Sequence, residues 1–159
     1  MATQVPAVQA SGVRLNYPAI ATAAIAGFLL EAGWYSAFYK NWLEGIGRTD
    51  EWLRQNSPNR ALQFGVALVC TAVVAGAVSC VIQTTGRQTL LRGIWVGALL
   101  GLGLVLPIFG LEYIFEVRTI ELLIINAGFW IVGMMLMGAI VGAWKAKAAT
   151  ASRVSSLNG

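Results

Sequence analysis

No histidine occurs in this 159-residue sequence, and that absence excludes Ser-His and Cys-His catalysis together with every imidazole metal site. Charge is scarce too: Asp, Glu, Lys and Arg make up 11% of the chain, against about a quarter in soluble domains. The two cysteines, Cys70 and Cys80, lie ten residues apart in one apolar run. On a helix that is about 15 Å of axial separation, too far for a bridge, so they read as small packing residues. No metal-ligand spacing and no paired nucleophile and base accompany the few carboxylates, so no catalytic residue, metal or cofactor is assigned. The 11 basic residues, giving a net charge of +4, are scattered over loops and ends. Nucleic acid is therefore not an expected partner, because the stripe that would track phosphates is missing.

What the chain has in plenty is apolar surface, at 57% of residues, gathered into four long runs. The expectation is an all-α polytopic membrane protein, a four-transmembrane-helix up-down bundle whose first partner is the lipid bilayer. Its spans fall at about 17–39, 61–83, 93–115 and 122–144, within a membrane domain of residues 17–147. Each run of 23 residues reaches about 34 Å as a helix, enough to cross with some tilt. Residues 1–16 read as a flexible N-terminal tail and 148–159 as a polar C-terminal one. Residues 40–60 read as an interfacial loop, in which Trp42, Leu43, Ile46, Trp52 and Leu53 alternate with charges and Thr49 or Asp50 caps a short helix.

Small residues recur at helical spacing: Ala19, Ala23 and Gly27 in the first run, Gly93, Gly97 and Gly101 in the third, Gly138 and Gly142 in the fourth. Such strips let helix backbones approach closely, which is how membrane helices associate without a hydrophobic drive. Pro107 has no N–H to offer the carbonyl of Gly103, so a kink is expected there. With four spans both ends share one side. That side carries six basic residues (Arg14, Arg87, Arg92, Lys145, Lys147, Arg153) against five opposite (Lys40, Arg48, Arg54, Arg60, Arg118). The balance points to a multi-pass protein of the cell membrane with both termini cytoplasmic.

Polar groups concentrate between the third and fourth runs. Up-down order puts Glu31, Glu112 and Asn126 in one half of the bilayer, close to Trp34, Tyr35, Tyr113 and Trp130. Glu112 with Asn126 is the expected central contact. One reading is a polar cavity, open toward the Trp42 loop, that holds a small solute, a lipid headgroup or a proton. The other is a set of interhelical hydrogen bonds that pins register. Glu116, Arg118 and Glu121 are expected to form a solvated surface network, with Thr119 capping the last helix. At the level of function these readings become a small transporter-like or solute- or lipid-binding bundle, or an accessory protein whose glycine faces associate with a second copy or a membrane partner. The substrate class is left open.

Gly33-Trp34-Tyr35-Ser36, the loop from Trp42 to Glu51, and above all Glu112-Tyr113-Ile114-Phe115-Glu116-Val117-Arg118 followed by Ile125-Asn126-Ala127-Gly128-Phe129-Trp130 resemble the integral membrane proteins grouped as domain of unknown function 1761. The similarity runs from about Ala19 to Lys147. It implies a four-span membrane architecture and no assigned activity, with Trp34, Tyr35, Glu112, Tyr113, Glu116, Arg118, Asn126 and Trp130 as motif positions. Two departures stand out. Ala37 occupies a place where the family often has proline, so the first helix is expected to run on toward Tyr39, and Glu31 lies outside the family pattern.

Overall fold

The structure, a computed structural model, describes residues 15–144, and among these there is no strand. Four rods are long and apolar enough to cross a membrane: α1 (Tyr17–Ala37), α4 (Arg60–Thr84), the continuous rod Leu90–Phe115, and α7 (Ile120–Ala143). Two short helices, α2 (Tyr39–Ile46) and α3 (Asp50–Asn56), connect α1 to α4. The third rod comprises α5 (Leu90–Leu100), a π-helical turn (Gly101–Val105) and α6 (Leu106–Phe115). The protein is thus an all-α four-span membrane bundle. Of the expected tails only Leu15 and Asn16 are among the described residues; Arg14, Lys145, Lys147 and Arg153 lie outside them.

Side-chain size runs opposite to the habit of soluble proteins. Ala19, Ala23 and Ala75 are fully buried, whereas Leu29, Val69, Val73, Leu99, Ile108 and Leu111 point outward. In water that surface would drive aggregation. In a bilayer the acyl chains solvate it, and helices gain instead by close approach along small residues. Helix α7 takes the centre, packing on α1, α4, α5, the π turn, α2 and α6. Asn16 Nδ2 donates to the Trp144 carbonyl at 3.1 Å, which joins the start of α1 to the end of α7 and places both at one end of the bundle.

The glycine strips find each other inside the chain. Gly93 of α5 meets Gly138 of α7 backbone to backbone, Gly97 meets Met134, and Gly142 stands against Gly93 and Thr89. The strip expected to recruit a second copy or another protein is therefore used between α5 and α7. Gly27 does the same for α1, since a Cβ there would come within 2.8 Å of Thr71 on α4.

Two local departures have physical causes. The disturbance ahead of Pro107 takes the form of the π turn: the Leu106 N–H bonds the Gly101 carbonyl five residues back. Widening the helix in this way accommodates the proline ring, which would otherwise press on the carbonyl of Gly103. The first span does not run on to Tyr39 but stops at Ala37. Phe38 leaves the helical backbone at φ −100°, ψ 17°, and α2 then starts along a new axis. That break lets α2 lie across the start of α7, where Gly45 fits against Leu122 with no room for a Cβ.

Candidate functional site

Tyr35 stands on the last turns of α1, two turns beyond the buried strip that seats this helix on α4. Its hydroxyl donates to Asn126 Oδ1 at 2.8 Å, and Asn126 Nδ2 donates to the Tyr113 hydroxyl at 2.5 Å. A single amide thus joins α1, α7 and α6. Beside it the indole N–H of Trp34 donates to the Ile125 carbonyl at 3.0 Å, and Gly128 leaves the space that the indole occupies. The Tyr35 ring packs against Phe129 and, edge on, against Trp42 of α2, which closes this polar joint from above.

The contact expected between Glu112 and Asn126 is not what forms. Two phenols occupy the amide of Asn126, because the helical turn from Glu112 to Tyr113 swings the carboxylate about 100° away from α7. Glu112 instead lines a recess of about 410 Å³ between α6 and the α2–α3 turn, along with Tyr113, Glu116 and Arg118 of the same stretch. Ile46, Arg48 and Trp52 form the opposite wall. Glu31 is half-buried on α1 and is not part of that lining. Trp130 also stands apart, in a second recess of about 200 Å³ with Val74, Val105, Ile108, Phe109 and Met134. Phe109 lines both.

The family model for proteins of unknown function DUF1761 matches residues 18–142. The chain belongs to that family. No curated protein and no solved structure matches it. In this DUF1761 chain the resembling motifs therefore divide among three places: Trp34, Tyr35, Tyr113 and Asn126 build the interhelical joint, Glu112, Glu116 and Arg118 border the larger recess, and Trp130 faces the smaller one.

The rim of the larger recess is shaped by an unusual turn. After α6 ends, the Arg118 N–H bonds back to the Tyr113 carbonyl at 2.9 Å, a Schellman closure whose left-handed position is ordinarily glycine. Here it is Val117, at φ 55°, a strained backbone for a β-branched residue. The turn brings Arg118 Nε to within 2.9 Å of Glu116 Oε2, and Arg118 Nη1 reaches the Ile46 carbonyl at 3.5 Å, tying α6 to α2. Glu121, expected in the same network, turns the other way and accepts from Asn41 Nδ2 at 2.6 Å. Thr119 caps α7 by accepting from the Leu122 N–H, as Thr49 caps α3 by accepting from Trp52.

Arg48 and Trp52 are recess residues for which the sequence indicates only a place in the interfacial loop. The guanidinium of Arg48 lies 4.1 Å from the centroid of the Trp52 ring. Their spacing of four, with the αL glycine Gly47 (φ 65°) just before Arg48 and the Thr49 cap between them, was the signal that could have paired them. Among the described residues neither Arg48 nor Glu112 has an ion-pair partner, whereas Arg118 and Glu116 satisfy each other.

Proposed function

We propose that the protein binds a small polar or amphiphilic molecule in the recess at the α6–α7 end of the bundle, in a transporter-like or solute- and lipid-binding role. The observation that carries this reading is the Glu112 carboxylate, without an ion-pair partner among the described residues, on the wall of a recess of about 410 Å³ whose opposite wall presents Arg48. A recess of that size is within the range of small-molecule sites. Both charges in a mouth floored by Phe109, Tyr113 and Leu122 favour a ligand with opposite charges and an apolar body. The Tyr35–Asn126–Tyr113 joint supports the recess by fixing α6 against α7.

Thermal unfolding of the detergent-solubilised protein, with soluble phosphoethanolamine and phosphocholine and a panel of phospholipids added in turn, tests this. At least one is expected to raise the midpoint, and Glu112→Gln to reduce that rise. If none stabilises the wild-type protein, the recess is not a binding site. The competing role, association through glycine faces, loses its motivating observation because α5 and α7 use those faces on each other. We read the end holding Asn16 and Trp144 as cytoplasmic in the cell membrane, on the six-to-five excess of basic residues. Labelling a cysteine placed at Gln55 in an otherwise cysteine-free chain from outside the cell checks that orientation.

A further inference from the structure

Resting on the binding role above, we infer that the ligand is a zwitterionic phospholipid bearing a primary ammonium, with its headgroup in the larger recess and an acyl chain in the smaller one. Three observations support the assignment. The first is charge. The larger recess holds two arginines and two glutamates, so its formal charge is zero, and the internal pair Arg118–Glu116 leaves one cation, Arg48, and one anion, Glu112, facing a ligand. A phosphate on Arg48 and an ammonium on Glu112 complement that pair. An anionic headgroup would satisfy Arg48 while leaving the Glu112 carboxylate uncompensated.

The second observation concerns the ammonium. A primary ammonium donates hydrogen bonds to a carboxylate, and a trimethylammonium has none to donate. Quaternary groups are held instead on open aromatic faces. At this rim the Arg48 guanidinium already lies over the Trp52 ring, and Phe109 and Tyr113 stand edge on to each other rather than as a cage. The geometry therefore favours the primary amine.

The third observation is continuity. Phe109 is a wall of both recesses, and the smaller one is lined entirely by apolar side chains. From Glu116 back to Val105 is 11 residues, about 16 Å along the rod, so the two recesses are stacked from the surface toward the middle of the bilayer. A molecule held at the rim by its headgroup has its first methylenes beside Phe109 and its chain beside Trp130 and Met134. A soluble zwitterion would leave the smaller recess unused.

Native mass spectrometry of the full chain from micelles containing equal amounts of phosphatidylethanolamine, phosphatidylcholine and phosphatidylglycerol tests the inference. Phosphatidylethanolamine is expected to be retained about fivefold over either competitor, the scale of a partly exposed charged pair. Glu112→Gln is expected to abolish its advantage over phosphatidylcholine. Val105→Trp, which fills the smaller recess, is expected to lower retention of the whole lipid while leaving the response to soluble phosphoethanolamine intact, which also shows that this variant folds. Preference for phosphatidylglycerol, or an unchanged lipid ratio in Glu112→Gln, overturns the headgroup assignment. Soluble phosphoethanolamine competing as well as the lipid, or Val105→Trp retaining lipid normally, overturns the acyl-chain assignment. Either result is distinct from failure of the binding role itself, in which neither lipid nor headgroup stabilises the wild-type protein.

Discussion

Adding one methyl group at Gly97 is expected to do more damage than any other single-carbon change on α5 outside the glycine strip. A Cβ built there would stand 2.5 Å from the carbonyl carbon of Met134 and 2.7 Å from the amide nitrogen of Met135, and nearer still to the Met134 carbonyl oxygen. Carbon atoms rest at about 3.5–4.0 Å, so α5 must retreat from α7 by roughly 1 Å. Both obstacles are backbone, so no rotamer change relieves them. Overpacking of a tight interface costs about 1–3 kcal/mol, and Gly97→Ala belongs at the upper end because the retreat also loosens Gly93 against Gly138. Gly65→Ala on α4 is the control, with nothing within 4 Å of its added carbon. There alanine's helix preference makes the change neutral or stabilising by up to about 1 kcal/mol. Reversible unfolding in mixed micelles with increasing dodecyl sulfate measures both. If Gly97→Ala unfolds at the wild-type detergent fraction, or the two variants shift together, the close α5–α7 approach is wrong.

Replacing Asn126 with Leu removes two interhelical hydrogen bonds, and such bonds average about 0.6 kcal/mol in bilayer proteins. A loss near 1 kcal/mol is expected in the same unfolding assay, with Tyr113→Phe adding little in the Asn126→Leu background. Val117→Gly relieves a left-handed backbone and should stabilise by about 1 kcal/mol, measured as a higher thermal midpoint. The Tyr39 phenol donates to Asp50, and that hydrogen bond raises its pKa above the ordinary tyrosine value. A raised folded pKa means that any stabilisation is complete below the unfolded value near 10 and is lost as pH rises through the folded one. Phenolate absorbance should accordingly show one tyrosine titrating at lower pH in Asp50→Asn than in the wild type.

Features governed by the helical repeat could be read from the chain alone. The four spans, the buried Ala19–Ala23–Gly27 strip and the Thr49 and Thr119 caps needed only local spacing and composition. The α5–α7 strips were recognisable as contact faces, but their partner was not, since a glycine face fits a helix of its own chain as well as one from another. Pairing among the polar groups was less legible still. Glu112 and Asn126 share a membrane level, yet a one-residue step along α6 separates the carboxylate from the phenol, and the phenol of Tyr113 is the one that reaches Asn126. Arg48 and Trp52 were hidden because interfacial tryptophans are common for reasons of depth alone. The stop at Ala37 carries no glycine or proline to announce it, and it follows from the packing of α2 on α7.

The helix that every other span leans on is also the last of the four to leave the ribosome. Until α7 enters the bilayer, the glycine strip of α5 faces lipid with nothing to fill it, and α1 rests on α4 alone. Assembly is therefore a late closure rather than a stepwise accretion. A chain released at Thr119 would leave three helices in the bilayer without their centre.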